Sequence, residues 1–510
     1  MFENIPILSL LILFPLVGAI AVFMMGRSPK ASKYTALIFS AIPLALSILV
    51  LTQFSLNTGA EEYLGNFQFV EKYQWISFLG IDYHLGIDGI SITMVLLSTL
   101  LVFLAVIFSW NVEDRLHQYM GLLLVLEVGI LGVFMSLDYF VFYIFWEVVL
   151  IPMYFLIAIW GGSNRAYASI KFFIYTHVAS LAMLLGIFAL FFTTAPELQA
   201  QGLIATDAIG TFDMLLISEV AGNLGTALQF AIFGALFFGF IVKMPMVPFH
   251  TWLPDAHVQA PTAGSVLLAG LLLKMGSYGI IRICLPTLPD AAVDFQIIMV
   301  IIGVVSMIYG ALASLAQTDL KKMVAYSSIS HMGIVMLGIA TLTELGIAAA
   351  VFQMFAHGLI TAVLFMVCGM FQYGVGTREI PLLGGLAPKI PIISTVMMMG
   401  FMASLGLPGM VGFLAEFMVF TSTFDTWGLW VFVPVASVAL TAAYYLWAMQ
   451  RSIFGDLTDR VNLSRLRDAY WFETIPLVVL LGLIILFGIW PAYVLDLITP
   501  TIPLVFSGVI

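Results

Sequence analysis

Lys243-Met-Pro-Met-Val-Pro-Phe-His250-Thr-Trp-Leu-Pro-Asp255-Ala-His257 cuts into a long apolar run, and Leu407-Pro408-Gly409-Met-Val-Gly412-Phe-Leu-Ala-Glu416 cuts into another further on. Each stretch sets an ionisable residue beside prolines or glycines that break a helix. Broken helices at membrane depth are tolerated where their polar backbone lines a wet interior path. The two stretches together therefore point to an ion-moving membrane protein.

Composition agrees. The chain has 510 residues, of which 62% are hydrophobic and 9% charged, with a mean hydropathy of +1.10. Soluble domains are about a quarter charged. Apolar runs of roughly 20 residues recur from end to end, so no segment forms a separate soluble domain and any catalytic head group belongs to a partner chain. Cys284 and Cys368 lie in different apolar segments and form no CxxC or Cys/His set, which leaves iron–sulfur, zinc and haem attachment without support. No cofactor or metal is expected in this chain. The run from Ile5 to Met25 lacks a basic region before it and a small-residue cleavage site after it, and reads as a retained helix. The net charge of −10 argues against nucleic acid as a partner.

The expected fold is an all-α polytopic membrane protein with about fourteen transmembrane helices. Lysine and arginine set their direction, because cytoplasmic loops carry them in excess. With both termini outside, the cytoplasmic loops hold Arg27, Lys30, Lys33, Arg115, Arg165, Lys171, Lys321, Lys322, Arg378, Lys389, Arg451, Arg460, Arg465 and Arg467. The outer loops hold only Lys72 and Arg282, while Lys243 and Lys274 lie within the membrane. The longest outer loops, about 55–89 and 194–225, are acidic, with Glu61 and Glu62 in the first. Residues 1–116 read as three helices with an outer loop. Residues 117–285 and 295–451 read as two five-helix repeats, each with its fourth helix broken, near 243–257 and 406–416. An odd number of helices per repeat inverts the second copy relative to the first, and Lys243 then corresponds to Glu416. Residues 452–510 add a final helix and tails. Two such breaks alone would also fit ordinary helix kinking, but ionisable residues at matching places favour transport.

A bare charge at the bilayer centre costs about 2.5–3.5 kcal/mol on insertion scales, so a buried ionisable residue is a functional candidate. At 1.5 Å per residue, Glu147 lies roughly 13 Å beyond Asp138, near the midplane of a core about 30 Å thick. Similar counting places Lys274, His331, His357 and Glu127 deep. The candidate proton path is Glu147, Lys243, Lys274, His331, His357 and Glu416, with His250, His257 and Glu127 beside it. Glu147 and Lys243 are expected to form an ion pair in which each holds the other charged. His331 and His357 either relay protons or hold helix contacts, and His250 and His257 either brace the break or conduct.

Along nearly its whole length the chain resembles the antiporter-like subunit M of the complex I family, the counterpart of mitochondrial chain 4. That family includes proton-translocating NADH:quinone oxidoreductases and close relatives such as F(420)H(2) dehydrogenase. The resemblance rests on His84-Leu-Gly-Ile-Asp88-Gly-Ile-Ser91, Phe145-Trp146-Glu147, the Lys243 to His257 stretch, Lys274, Asp319-Leu-Lys-Lys-Met-Val-Ala-Tyr-Ser-Ser-Ile-Ser-His331, His357 and the stretch ending at Glu416. Glu416 stands where the sister subunits are expected to carry lysine. The resemblance implies a non-redox, proton-pumping subunit of an oxidoreductase in a prokaryotic cell membrane. Its expected partners are neighbouring antiporter-like and other membrane-arm subunits, a peripheral redox arm and lipids. Iron–sulfur clusters, flavin and quinone or methanophenazine would belong to partner subunits. In this reading Glu147 modulates Lys243, the proton passes through Lys274 and the histidines, and Glu416 hands it outward. The alternatives are a subunit of a multi-subunit Na⁺/H⁺ antiporter or of a membrane-bound hydrogenase, and, from a different class, a structural scaffold. The electron donor and the choice between H⁺ and Na⁺ stay open.

Overall fold

The computed structural model describes residues 5–26, 28–54, 67–462 and 466–505. Arg27, Glu61, Glu62 and Arg465, assigned to loops above, lie outside the described residues. The chain is built almost wholly of apolar helices. The first two are α1 (Ile7–Met24) and α2 (Pro29–Gln53). A hairpin follows, β1 (Gln68–Ile76) with β2 (Ile81–Ile87), and then α3 (Gly89–Phe108), α4 (Leu116–Met135), α5 (Tyr139–Val148), α6 (Leu150–Trp160) and α7 (Arg165–Ala200). After the short α8 (Met214–Ala221) come α9 (Thr226–Lys243) and α10 (Trp252–Gln259), separated by the Pro-rich turn. The next crossing joins α11 (Thr262–Leu267), α12 (Leu273–Gly279) and α13 (Leu285–Thr287) through π-helical turns at Leu268–Leu272 and Ile280–Cys284. Then come α14 (Pro289–Leu315), α15 (Leu320–Ala340), α16 (Glu344–Met370), α17 (Pro391–Ser404), α18 (Val411–Trp427), α19 (Phe432–Ser452), α20 (Trp471–Ile489), α21 (Ala492–Ile498) and α22 (Ile502–Val505).

Among the described residues, thirteen segments are long and apolar enough to cross a membrane, and the longest of these, Val411–Ser452, contains both α18 and α19. Reading α17 and α18 as one broken crossing gives fourteen among the described residues. Several helices start on a carboxylate that accepts backbone N–H groups of the first turn. Asp88 caps α3, Asp138 caps α5, Asp213 caps α8 and Asp319 caps α15. An acidic cap satisfies orphan donors and complements the helix dipole.

The hairpin departs from an all-helical reading. Gln68–Ile76 pairs antiparallel with Ile81–Ile87, with Lys72 opposite His84, where the sequence reading had only an outer loop. Ile81-Asp-Tyr-His-Leu-Gly-Ile87 alternates larger apolar residues with polar or small ones, the period of a strand. Its side of the molecule is called the hairpin face below. The hairpin is clamped there: Lys72 Nζ lies 2.7 Å and His84 Nδ1 3.2 Å from the Asp213 carboxylate. The Leu137 amide donates to the His84 carbonyl at 2.9 Å. Burial alone would raise the Asp213 carboxyl, but its hydrogen bonds and charge contacts with His84 and Lys72 overcome this and hold it at about 2.

Two basic residues expected in loops are buried instead. Arg282 ion-pairs with Asp88 at the start of α3, because its crossing continues to Thr287 and carries the guanidinium inside. Lys321 is 3% exposed, because α15 begins at Leu320 and turns this side chain inward to the Ala260 carbonyl. The C-terminal segment closes over the same end of α3. The Gly89 amide donates to Thr501 Oγ1 at 3.0 Å, and a Cβ on Gly89 would fall 1.7 Å from the Leu497 carbonyl oxygen. Only glycine admits that approach.

Asp88→Ala would take the carboxylate from the buried guanidinium and remove the α3 cap. The expected cost is about 3–5 kcal/mol, read as a lower thermal midpoint of the purified assembly. For the hairpin clamp, the folded Asp213 carboxyl sits below its ordinary value of 3.8. Its contribution is therefore fully present above that value and is lost as pH falls toward about 2. Pepsin cleavage of the 68–87 segment is expected to accelerate across this window in the native chain, and Asp213→Asn should remove the pH dependence.

Candidate functional site

The mid-depth charges fall into two groups. In the first, Glu147 is the last residue but one of α5, next to an interruption. Pro152, four residues after Val148, has no N–H for the Val148 carbonyl, and the chain resumes as α6 at Leu150. The Glu147 carboxylate is held by α7. His177 Nδ1 lies 2.9 Å from Oε2, and the Ser180 hydroxyl donates to Oε1. His177 and Ser180 were missed in the sequence reading, although counting depth from Arg165 would have placed His177 well inside its helix.

Lys243 is the last residue of α9, where Pro245 and Pro248 stop the helix. Trp252 Nε1 takes up the Val242 carbonyl at 2.9 Å, and Ser306 Oγ accepts the Val247 amide at 3.0 Å. The break is thus satisfied by protein rather than lipid. The buried Lys243 ammonium sits 4.8 Å from the centre of the Trp146 ring, with no hydrogen-bond partner. The expected contact ion pair with Glu147 does not form. Neighbouring positions on a helix point about 100° apart, so α5 offers Lys243 the face of Trp146 while turning Glu147 toward α7. Glu147 still acts on Lys243 electrostatically.

The second group is joined. Lys274 is fully buried on α12, just beyond a π-helical turn. Its Nζ donates to the Ala269 carbonyl five residues back and lies 2.7 Å from His357 Nδ1 on α16. The His357 and His331 rings are 5.5 Å apart between centroids. His331 Nδ1 lies 3.1 Å from Glu416 Oε1, and its Nε2 lies 3.2 Å from Ser404 Oγ. Ser404 continues through Tyr445 to Ser327. Glu416 is carried just past the α17–α18 break, where Gly406 and Gly409 adopt φ of +83° and +92°. With Lys274 as an ammonium, His357 Nδ1 accepts and its ring is neutral. Four titratable side chains from α12, α16, α15 and α18 therefore form a nearly continuous line through the interior.

Glu127, His250 and His257 stand outside that line. Glu127 is fully buried with neither oxygen bonded to protein, a state that water normally satisfies. His250 meets the Tyr309 ring edge-on at 4.8 Å. His257 stacks on Phe365 at 4.4 Å. Among the described residues, no group of three or more His, Cys, Asp or Glu is placed to hold a metal.

Broken helices that present charges to a buried line of titratable groups suit proton transfer. Residues 136–441 match the family described as NADH:quinone oxidoreductase/Mrp antiporter, transmembrane. The chain belongs to this family. Subunit M of F(420)H(2) dehydrogenase from Methanosarcina mazei is 44% identical over 497 residues, covering 97% of this chain and 96% of that protein. Subunit M of NADH-quinone oxidoreductase from Rickettsia bellii is 38% identical over 500 residues, with 97% of each covered. Among solved structures, respiratory complex I from Thermus thermophilus with bound NADH contains a chain of the same fold, with TM-score 0.84 and 26% identity, covering 98% of this chain and all of that one. The Mrp complex from Dietzia sp. matches in fold at TM-score 0.85 and 20% identity, covering 99% and 98%. In the antiporter-like fold of this family, the Lys274 to Glu416 line occupies the interior of the helix bundle.

If this line acts as a unit, His331→Ala and Glu416→Gln should each lower coupled turnover at least about tenfold. The double variant should lose little more than either alone, as expected for residues in one network. Parallel assays of the three variants in vesicles check this.

Proposed function

We propose that this chain is the proton-pumping, membrane-arm subunit of a complex I type oxidoreductase. It would move protons through buried Glu, Lys and His residues while quinone or methanophenazine is reduced in a remote module. The observation that carries the proposal is the Lys274–His357–His331–Glu416 line, with contacts of 2.7 Å at one end and 3.1 Å at the other. The hydrogen bond between Lys274 and His357 permits proton hand-over between their nitrogens without large motion, and His331 lies close against the Glu416 carboxylate. The near full-length similarity to M subunits of two oxidoreductases supports the redox assignment. The antiporter-complex neighbour supports the fold alone.

Both termini then lie outside a prokaryotic cell membrane, with the hairpin face outward. Residues 117–285 and 295–451 form the two inverted repeats, and Lys243 and Glu416 take corresponding places. Glu147 is the modulator. Drawn toward Lys243, its carboxylate favours the ammonium form; held by His177 and Ser180 on α7, it leaves the lysine to the Trp146 face, from which a proton is more easily released. Lys274 receives the proton, the histidines extend the path, and Glu416 delivers it toward the hairpin face. Neighbouring antiporter-like subunits and lipids flank the chain. Iron–sulfur clusters, flavin and the quinone or methanophenazine site lie in partner subunits.

Lys243→Ala and Glu147→Ala are expected to abolish redox-driven pumping and coupled turnover in the assembled complex. Membrane vesicles are the test, with oxidoreductase turnover and internal pH followed together. Unchanged pumping in Lys243→Ala would sink the proposal.

A further inference from the structure

A buried lysine and a buried histidine on the face opposite the hairpin take no part in the line described above. Lys321 starts α15 and reaches across to the Ala260 carbonyl at the end of α10. It forms the floor of a cavity of about 310 Å³ that opens to the surface and is also lined by Gln259, Thr262, Tyr373 and Arg378. Arg378 pairs with Asp319 at 3.4 Å. His257 lies two residues before Gln259, about 3 Å deeper along α10. It is completely buried and neither ring nitrogen has a protein partner. Its charged neighbours are Lys321 on the cavity side and Lys274 on the interior side.

A polar ring buried without partners is unusual, because buried nitrogens are almost always bonded to protein or to ordered water. Here the ring is held by stacking, nearly parallel to Phe365 at an interplanar angle of 6°. Both nitrogens are left for mobile partners. The arrangement runs from a surface cavity to a lysine, then to a histidine with two unengaged nitrogens, then to the lysine that heads the buried line.

We propose that the cavity above Lys321 is a proton inlet from the cytoplasmic face, and that Lys321 and His257 load Lys274 from it. The inlet rests on the proposed pumping function and gives that function its proton source. In one passage, the Lys321 ammonium gives a proton to one His257 nitrogen through water. Water in the cavity then restores the Lys321 ammonium. The other His257 nitrogen releases its proton to the Lys274 amine. One proton moves from the cytoplasmic phase to Lys274, and only N–H and O–H bonds change. Lys243, with Glu147, then governs when Lys274 passes the proton on rather than being its only source.

The test uses the intact complex in vesicles with three variants. Lys321→Arg keeps the charge and the hydrogen-bond donors toward Ala260 but does not give up its proton at ordinary pH. His257→Phe keeps the stack on Phe365 and removes only two nitrogens that make no protein contact. Redox-driven proton uptake is expected to fall at least about tenfold in both, with assembly and the peripheral redox activity retained. Wild-type uptake in either variant overturns the inlet, and His257→Phe decides alone if Lys321→Arg does not assemble. Lys243→Ala runs alongside. Uptake lost in Lys243→Ala but normal in the other two removes the inlet and leaves the pumping function standing, whereas normal uptake in Lys243→Ala removes both.

Discussion

Hydrocarbon gives a polar group no partner, and most of this structure follows from that constraint. A helix can be broken at membrane depth only where protein or interior water takes up the freed groups. Trp252 does so for the carbonyl of Val242 and Ser306 for the amide of Val247. Several titratable side chains face the same limit and meet it by lying within reach of one another. Lys274 has His357 and a carbonyl freed by a π-helical turn, and Glu416 has His331. The groups that satisfy one another's burial are also those able to exchange protons.

The two halves meet the limit differently. The Lys274 to Glu416 side is paired at both ends, Lys274 with His357 and His331 with Glu416, and the two imidazole rings stand 5.5 Å apart between them. On the other side, the Lys243 ammonium has only an aromatic face, and Glu147 is held from a third helix. A cation on an aromatic ring is stabilised by about 2 kcal/mol when desolvated, less than a direct charge contact would give. That weaker hold suits a group whose charge must come and go. The well-bonded side is better suited to conduct.

The crossings were legible in the sequence because apolar length and the sidedness of lysine and arginine both register there. Depth counting along single helices also placed Lys274, His331 and His357 near the middle, and the Pro/Gly break marked Glu416. Contacts between helices were not legible. Whether Glu147 meets Lys243 or His177 depends on how α5 is rotated relative to α7 and α9, and a one-residue step on a helix changes that by about 100°. The hairpin was hidden because a short amphipathic strand in a polar loop carries a weak signal. Lys321 was misread because, next to Lys322 at a helix start, it looks like ordinary loop charge. Its burial comes from the end of α10, about sixty positions earlier.

Gly276 lies two residues beyond Lys274, and a Cβ there would come within 2.6 Å of the Phe240 carbonyl oxygen and 2.8 Å of the Met244 amide nitrogen. The helix that carries Lys274 therefore rests directly on the backbone of the α9 break, with no side chain between them to absorb movement. Winding or unwinding the last turn of α9 displaces the Lys274 helix itself, so the two lysines are geared to each other through backbone contact.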